Sequence, residues 1–152
     1  MIKAALKPPA TQSLYETDFF AWTQAQADSL RQGRFDALDI VNLIDEVESV
    51  GRSQRAAIES HLTVLIIHLL KFRVQPSRIT VSWRVTLRNQ RKDIQTLIAR
   101  NPSLRAYPAA ILAEVYPDAV RRAAQETRLD EADFPADLPF TLAQILDPDF
   151  VP

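Results

Sequence analysis

The chain has 152 residues, 47% hydrophobic and 24% charged, with a formal net charge of −1. That is enough for a buried core and ordinary for a globular protein, so a disordered chain is excluded. There is no cysteine and only two glycines, Gly33 and Gly51. Disulfides, thiolate chemistry, cysteine-ligated metals and glycine-rich phosphate loops are thereby removed.

Residues 1–12 read as a flexible N-terminal arm. They hold no apolar run of signal-peptide length, and Pro8-Pro9 breaks them. A first helix is expected from about Thr17 to Gln32, with Thr17 as N-cap and Gly33 at the C-terminal cap. A second begins near Asp36 or Asp39. Its apolar stripe is Ile40, Leu43, Ile44, Val47 and Val50, with Asn42, Asp45, Glu46 and Ser49 opposite. Gly51 is expected to stop or bend it.

A third helix is expected over about 53–74, ending before Gln75-Pro76. It contains "HLTVLIIHLLKF", apolar nearly all round, which marks it as the central helix. The run is shorter than the roughly 18–20 apolar residues of a membrane span. A fourth helix starts near Thr80 or Ser82 and reaches Arg100. Trp83, Leu87, Gln90, Ile94 and Leu97 give it a packing seam. A fifth opens at Asn101-Pro102 and runs to about Arg128, split or kinked by Pro108 and Pro117. The acidic, proline-rich tail, 130–152, holds one short helix, Thr141 to Leu146, capped by Thr141. Phe134, Phe140 and Phe150 are expected to dock it.

Charge is segregated along the chain. Residues 13–60 carry nine acids and four basic residues, residues 71–105 nine basic residues and one acid, and residues 106–152 nine acids and three arginines. A basic middle therefore lies between two acidic flanks.

The two histidines, His61 and His68, fall on one helix face, about 20° and 10.5 Å apart. That separation is too long for one metal ion, which needs ligands three or four residues apart. Both lie on the seam Gln54, Ile58, His61, Leu65, His68 and Phe72. They read best as polar contacts in the core, with Gln90, Asn42 and Glu46 as available partners. His68, deeper in the apolar run, is the better candidate for function. Asn42, Glu46 and Ser49 form a stripe that could supply a general base or a hard-metal ligand, and otherwise reads as a solvated face or one paired with the basic helix. Arg84, Arg88, Arg91 and Gln95, with Lys92 beside them, suit phosphate tracking or neutralisation by the acidic flanks.

The segments "LYETDFFAWTQAQADSLRQGRF", "NLIDEVESVGRS", "HLLKF", "SWRVTLRNQR", "NPSL" and "FTLAQILDPDFVP" occur in that order. In that order they resemble the bacterial family catalogued as domain of unknown function number 29, over about residues 13–152. The resemblance implies a compact all-helical domain and transfers no activity, cofactor or catalytic residue. Its pattern directs attention to Tyr15, Asp18, Trp22, Asn42, Glu46 and Gly51. Farther along it marks Arg52, His68, Lys71, Trp83, Gln90 and Arg91.

The expectation is an all-α, single-domain bundle over 13–152, with about five main helices around the central one. The leading function is a non-enzymatic interaction or adaptor module of the cytoplasm, with a protein partner or self-association, no cofactor, no metal and no membrane. The alternatives are a nucleic-acid-associated protein using Arg84, Arg88, Arg91 and Lys92, and an enzyme or metal protein centred on Glu46 and His68.

Overall fold

The computed structural model describes residues 12–152, and every regular element among them is helical. The helices are α1 (Gln12–Thr17), α2 (Phe19–Arg31), α3 (Ile40–Val74), α4 (Val81–Arg100), α5 (Tyr107–Thr127) and α6 (Leu142–Leu146). Single 3-10 turns precede α3, α4 and α5, and another lies at Glu131–Asp133. The described residues form two compact units that part between Arg52 and Ser53. Apart from Gln12, the expected arm lies outside the described residues.

In the first unit the expected opening helix is two helices. Asp18, not Thr17, is the N-cap of α2: its carboxylate accepts from the Ala21 amide at 2.9 Å. Thr17 instead ends α1. An Asp oxygen is a strong acceptor for the unpaired amides of a first turn, and at Asp18 it starts a new helix. Gly33 ends α2 as expected, at φ +66°. The Gly33 amide donates to Leu30 and the Arg34 amide to Ser29, the paired bonds of a Schellman ending.

The expected break at Gly51 does not occur. α3 is one helix of 35 residues. A single helical glycine costs about 1 kcal/mol relative to alanine, too little to end a helix secured on both sides.

The second unit is built around the rest of α3. Ile58, Leu62, Leu65, Ile66, Leu69 and Leu70 are fully buried there. Leu87 and Ile94 of α4 and Ala119 and Ala123 of α5 close over this core. Each such Leu or Ile contributes about 1.5–3 kcal/mol of burial. α4 begins where its cap predicts: Thr80 Oγ1 accepts from the Trp83 amide at 3.2 Å. α5 is not split. Pro108 occupies its first turn, where a missing amide costs nothing, and the helix passes through Pro117.

The tail docks as expected. Phe134, Phe140 and Ile145 are buried, and Phe140 meets Phe150 edge-on at 5.9 Å. Thr141 and Gln144 form a capping box on α6. The Tyr116 hydroxyl donates to the Pro135 carbonyl at 2.6 Å.

Candidate functional site

A helix turns about 100° per residue. Ile40, Ile44 and Val47 of α3 therefore share a sector of about 60°, and Asn42 and Glu46 lie on the far side. The first unit packs on the polar side. The Tyr15 hydroxyl donates to Glu46 at 2.7 Å, and that bond holds the Tyr15 proton above its ordinary value. The Trp22 indole donates to Asp39 at 3.2 Å, and Asn42 Nδ2 donates to the same oxygen at 2.7 Å. The Asp39 amide donates to Gln26 Oε1 at 2.8 Å. Asp39 is only 1% exposed, and it stands at the positive end of α3, where a helix favours a carboxylate.

Within the first unit, no described residue covers the apolar side. Ile40, Ile44 and Val47 are 48%, 52% and 70% exposed. Phe19, Phe20 and Phe35 of the same unit are exposed as well. This reverses the expected orientation, in which the stripe of Asn42 and Glu46 was solvated or paired with the basic helix.

In the second unit, His68 and Trp83 define an aromatic cluster. Their rings meet edge-on at 6.5 Å, and Phe72 lies 5.8 Å from Trp83. The Lys71 ammonium sits 4.4 Å from the centre of the Trp83 ring and 2.9 Å from Glu126. Both contacts engage the ammonium, one with the ring face and one with a carboxylate. His68 Nδ1 lies 2.9 Å from the Val64 carbonyl. That acceptor requires a proton on Nδ1 and leaves Nε2 of the neutral ring as a lone pair. Burial pushes the His68 imidazole below its ordinary pKa.

α4 also lines a cleft of about 350 Å³ against the tail, with Val81, Arg84, Val85, Arg88, Pro148 and Val151 among its walls. Arg91 forms its inner edge and is 3% exposed. Its guanidinium donates to the carbonyls of Ile145 at 2.9 Å, Pro148 at 3.3 Å and Phe150 at 2.8 Å.

A family model described as Domain of unknown function DUF29 matches residues 14–151. The chain belongs to the DUF29 family. Comparison of this DUF29 chain with curated proteins and with solved structures returned no match.

The geometry sorts the residues singled out in the DUF29 sequence. Glu46 and His68 stand on one helix but in different units, Glu46 bonded to Tyr15 and His68 to Val64. His61 finds Gln90, one of its expected partners, at 2.6 Å. Asn42 and Glu46 bond within the first unit instead. Both histidines are half-buried at the edge of the core, not inside it. Arg84, Arg88 and Lys92 are exposed, but Arg91 leaves their row to hold the tail. Among the described residues no group of three or more His, Asp or Glu is placed to bind a metal ion. No described helix is long and apolar enough to cross a membrane.

Sequence reasoning missed the buried Asp39 and the exposure of the α3 stripe. The signal for Asp39 was present: an acid just before an amphipathic run, with a tryptophan seventeen residues upstream. Nothing in the pattern says which side of α3 the chain itself covers.

Proposed function

We propose that this DUF29 chain is a non-enzymatic protein–protein interaction module whose docking face is the Ile40, Ile44 and Val47 stripe. One observation carries the reading. α1 and α2 engage the polar side of α3 through Trp22, Tyr15, Asn42 and Glu46, and no described residue of the first unit covers the apolar side. Contiguous exposed apolar surface of this kind is the mark of a docking site. Covering the three side chains offers a partner roughly 1–2 kcal/mol each. The same proposal places the module in the bacterial cytoplasm, where a chain without cysteine forgoes nothing. Cell fractionation checks that placement.

The test is the double variant Ile44→Asp/Val47→Asp. The expected result is an unchanged helical signal and unfolding midpoint, with loss of a complex that the wild-type chain forms, with itself or with another protein. A variant that keeps every complex removes the stripe as the docking face. A variant that unfolds shows that the stripe belongs to the protein's own core, and the reading fails on that outcome too.

A further inference from the structure

We propose that the cleft between α4 and the tail is a binding site for a small amphiphilic anion, a carboxylate or phosphate group carried on a short apolar chain. The headgroup lies between Arg84 and Arg88, and the apolar chain lies on Val81, Val85 and Val151. The site belongs wholly to the second unit, so it does not depend on the α3 stripe.

Two independent observations meet at this cleft. The first concerns apolar surface. Among the described residues of the second unit, the exposed large apolar side chains are Val81, Val85 and Val151, at 78%, 38% and 39%. All three line this one cleft. A single valine on a surface is ordinary, but the gathering of all three in one concavity marks a place where apolar matter is covered.

The second concerns charge. Arg84 and Arg88 stand one helical turn apart on the α4 wall, in a row parallel to Val81 and Val85. Both are exposed, and no described carboxylate forms an ion pair with either. The tail acids Asp147 and Asp149 act instead on Arg91, whose guanidinium is bonded to three carbonyls. The Arg84 guanidinium lies 5.8 Å from the centre of the Phe72 ring, a contact that holds it near the cleft.

Volume and rigidity narrow the occupant. A cleft of about 350 Å³ lies at the small end of ligand pockets, which span about 300–1,000 Å³. The Arg91 clamp fixes the tail wall, so little ordering is left for the ligand to impose. A guanidinium takes a carboxylate or phosphate through paired N–H bonds. A bare anion leaves the three valines in water, and an apolar molecule leaves both arginines without a counter-charge. A nucleic-acid strand suits the surface poorly, because Arg91, next in register, is turned to the tail and valines stand beside the row. A molecule with one charged end and one apolar end engages both walls.

The probes are sodium octanoate and octyl phosphate, titrated below their micellar range and followed by calorimetry and by methyl NMR of Val81, Val85 and Val151. The expected result is saturable binding of one anion per chain with shifts at those valines. The tighter of the two probes names the headgroup. Octanol and inorganic phosphate should each bind about ten-fold more weakly or worse. Arg84→Gln/Arg88→Gln should weaken the tighter probe about ten-fold or more, and Val85→Ser/Val151→Ser about five-fold or more. Arg88→Gln alone leaves the Arg84 contact with Phe72 in place and should still weaken binding. Unfolding midpoints equal to wild type show that these variants report binding and not folding.

Octanol binding as tightly as the anions leaves the arginines idle and overturns the proposal. Inorganic phosphate binding as tightly as octyl phosphate overturns it in favour of a bare anion site. Displacement of the probe by single-stranded DNA at lower concentration than the probe itself reassigns the cleft to nucleic acid. Binding untouched by Arg88→Gln and by the valine pair, or no binding of either probe, sinks the site outright. None of these outcomes bears on the Ile44→Asp/Val47→Asp test, which probes the other unit.

Discussion

The Trp22 indole and the Asp39 carboxylate meet inside the first unit, joining the first turn of α2 to the start of α3. Asp39 is buried, so each donor aimed at it offsets part of the cost of removing a charge from water. Trp22→Phe keeps an aromatic side chain, deletes the donor and shrinks the buried indole to a single ring. It should destabilise the protein by about 1.5–3 kcal/mol for the lost hydrogen bond to a carboxylate, and further for the space the smaller ring leaves. Urea unfolding followed by far-ultraviolet circular dichroism measures this. A midpoint unchanged from wild type shows that Asn42 and the helix end suffice without Trp22.

Arg91 should be replaceable by neither lysine nor methionine. A planar guanidinium reaches three carbonyls in three directions, and an ammonium on a longer flexible stem does not reproduce that fork. Arg91→Lys should cost on the order of 2 kcal/mol and Arg91→Met more. Both variants should expose the segment after Phe140 to limited proteolysis. A tail as resistant in Arg91→Met as in wild type means that Phe140 and Ile145 dock it unaided.

The lowered pKa of His68 predicts a pH dependence of definite sign. Burial is its main cause, and the nearby Lys71 pushes the same way. The Val64 carbonyl and Glu126 oppose them. The unfolded chain therefore binds the His68 proton more readily than the folded one. The resulting stability is complete above about pH 6.5, the unfolded value, and is lost as pH falls through the folded value. Urea midpoints at pH 8, 7, 6 and 5 should decline less steeply in His68→Gln than in wild type. Parallel declines assign the acid sensitivity to another group.

The two glycines should respond in opposite directions to alanine. Gly51 lies within α3, and an added methyl meets nothing within 4 Å. Gly51→Ala should stabilise the helix by about 0.5–1 kcal/mol. Gly33 also has open space around it, but its φ of +66° is strained for any side chain. Gly33→Ala should lose about 1 kcal/mol. Thermal midpoints that move together contradict the account of α3 as one continuous helix.

How far the sequence discloses this fold depends on whether a feature is local. Thr80, Gly33 and Thr141 act through their own next few residues, and their caps are read correctly. Thr17 fails because Asp18, one residue on, is the stronger competitor for the same amides. Gly51 fails because a propensity penalty was weighed without the contacts that hold α3 on either side of it. The stripe of Ile40, Ile44 and Val47 is plain in the sequence, but amphipathic phase identifies an apolar face and not its cover. Arg91 keeps helical register with Arg84 and Arg88. Its different fate depends on main-chain carbonyls more than fifty residues away, which side-chain pattern does not encode. Among the candidate site residues, the link from His61 to Gln90 was legible because both lie on packing seams.

The Arg91 clamp grips the tail only by its backbone. Carbonyl oxygens are common to all amino acids, so residues 145, 148 and 150 can change identity without losing the grip, provided the chain still follows the same path. Mutational tolerance here should be lopsided: a single codon in α4 under tight constraint, facing a terminal segment free to drift at its exposed positions. Such a segment can acquire new surface chemistry at Asp147, Asp149 or Val151 while its attachment to the body persists.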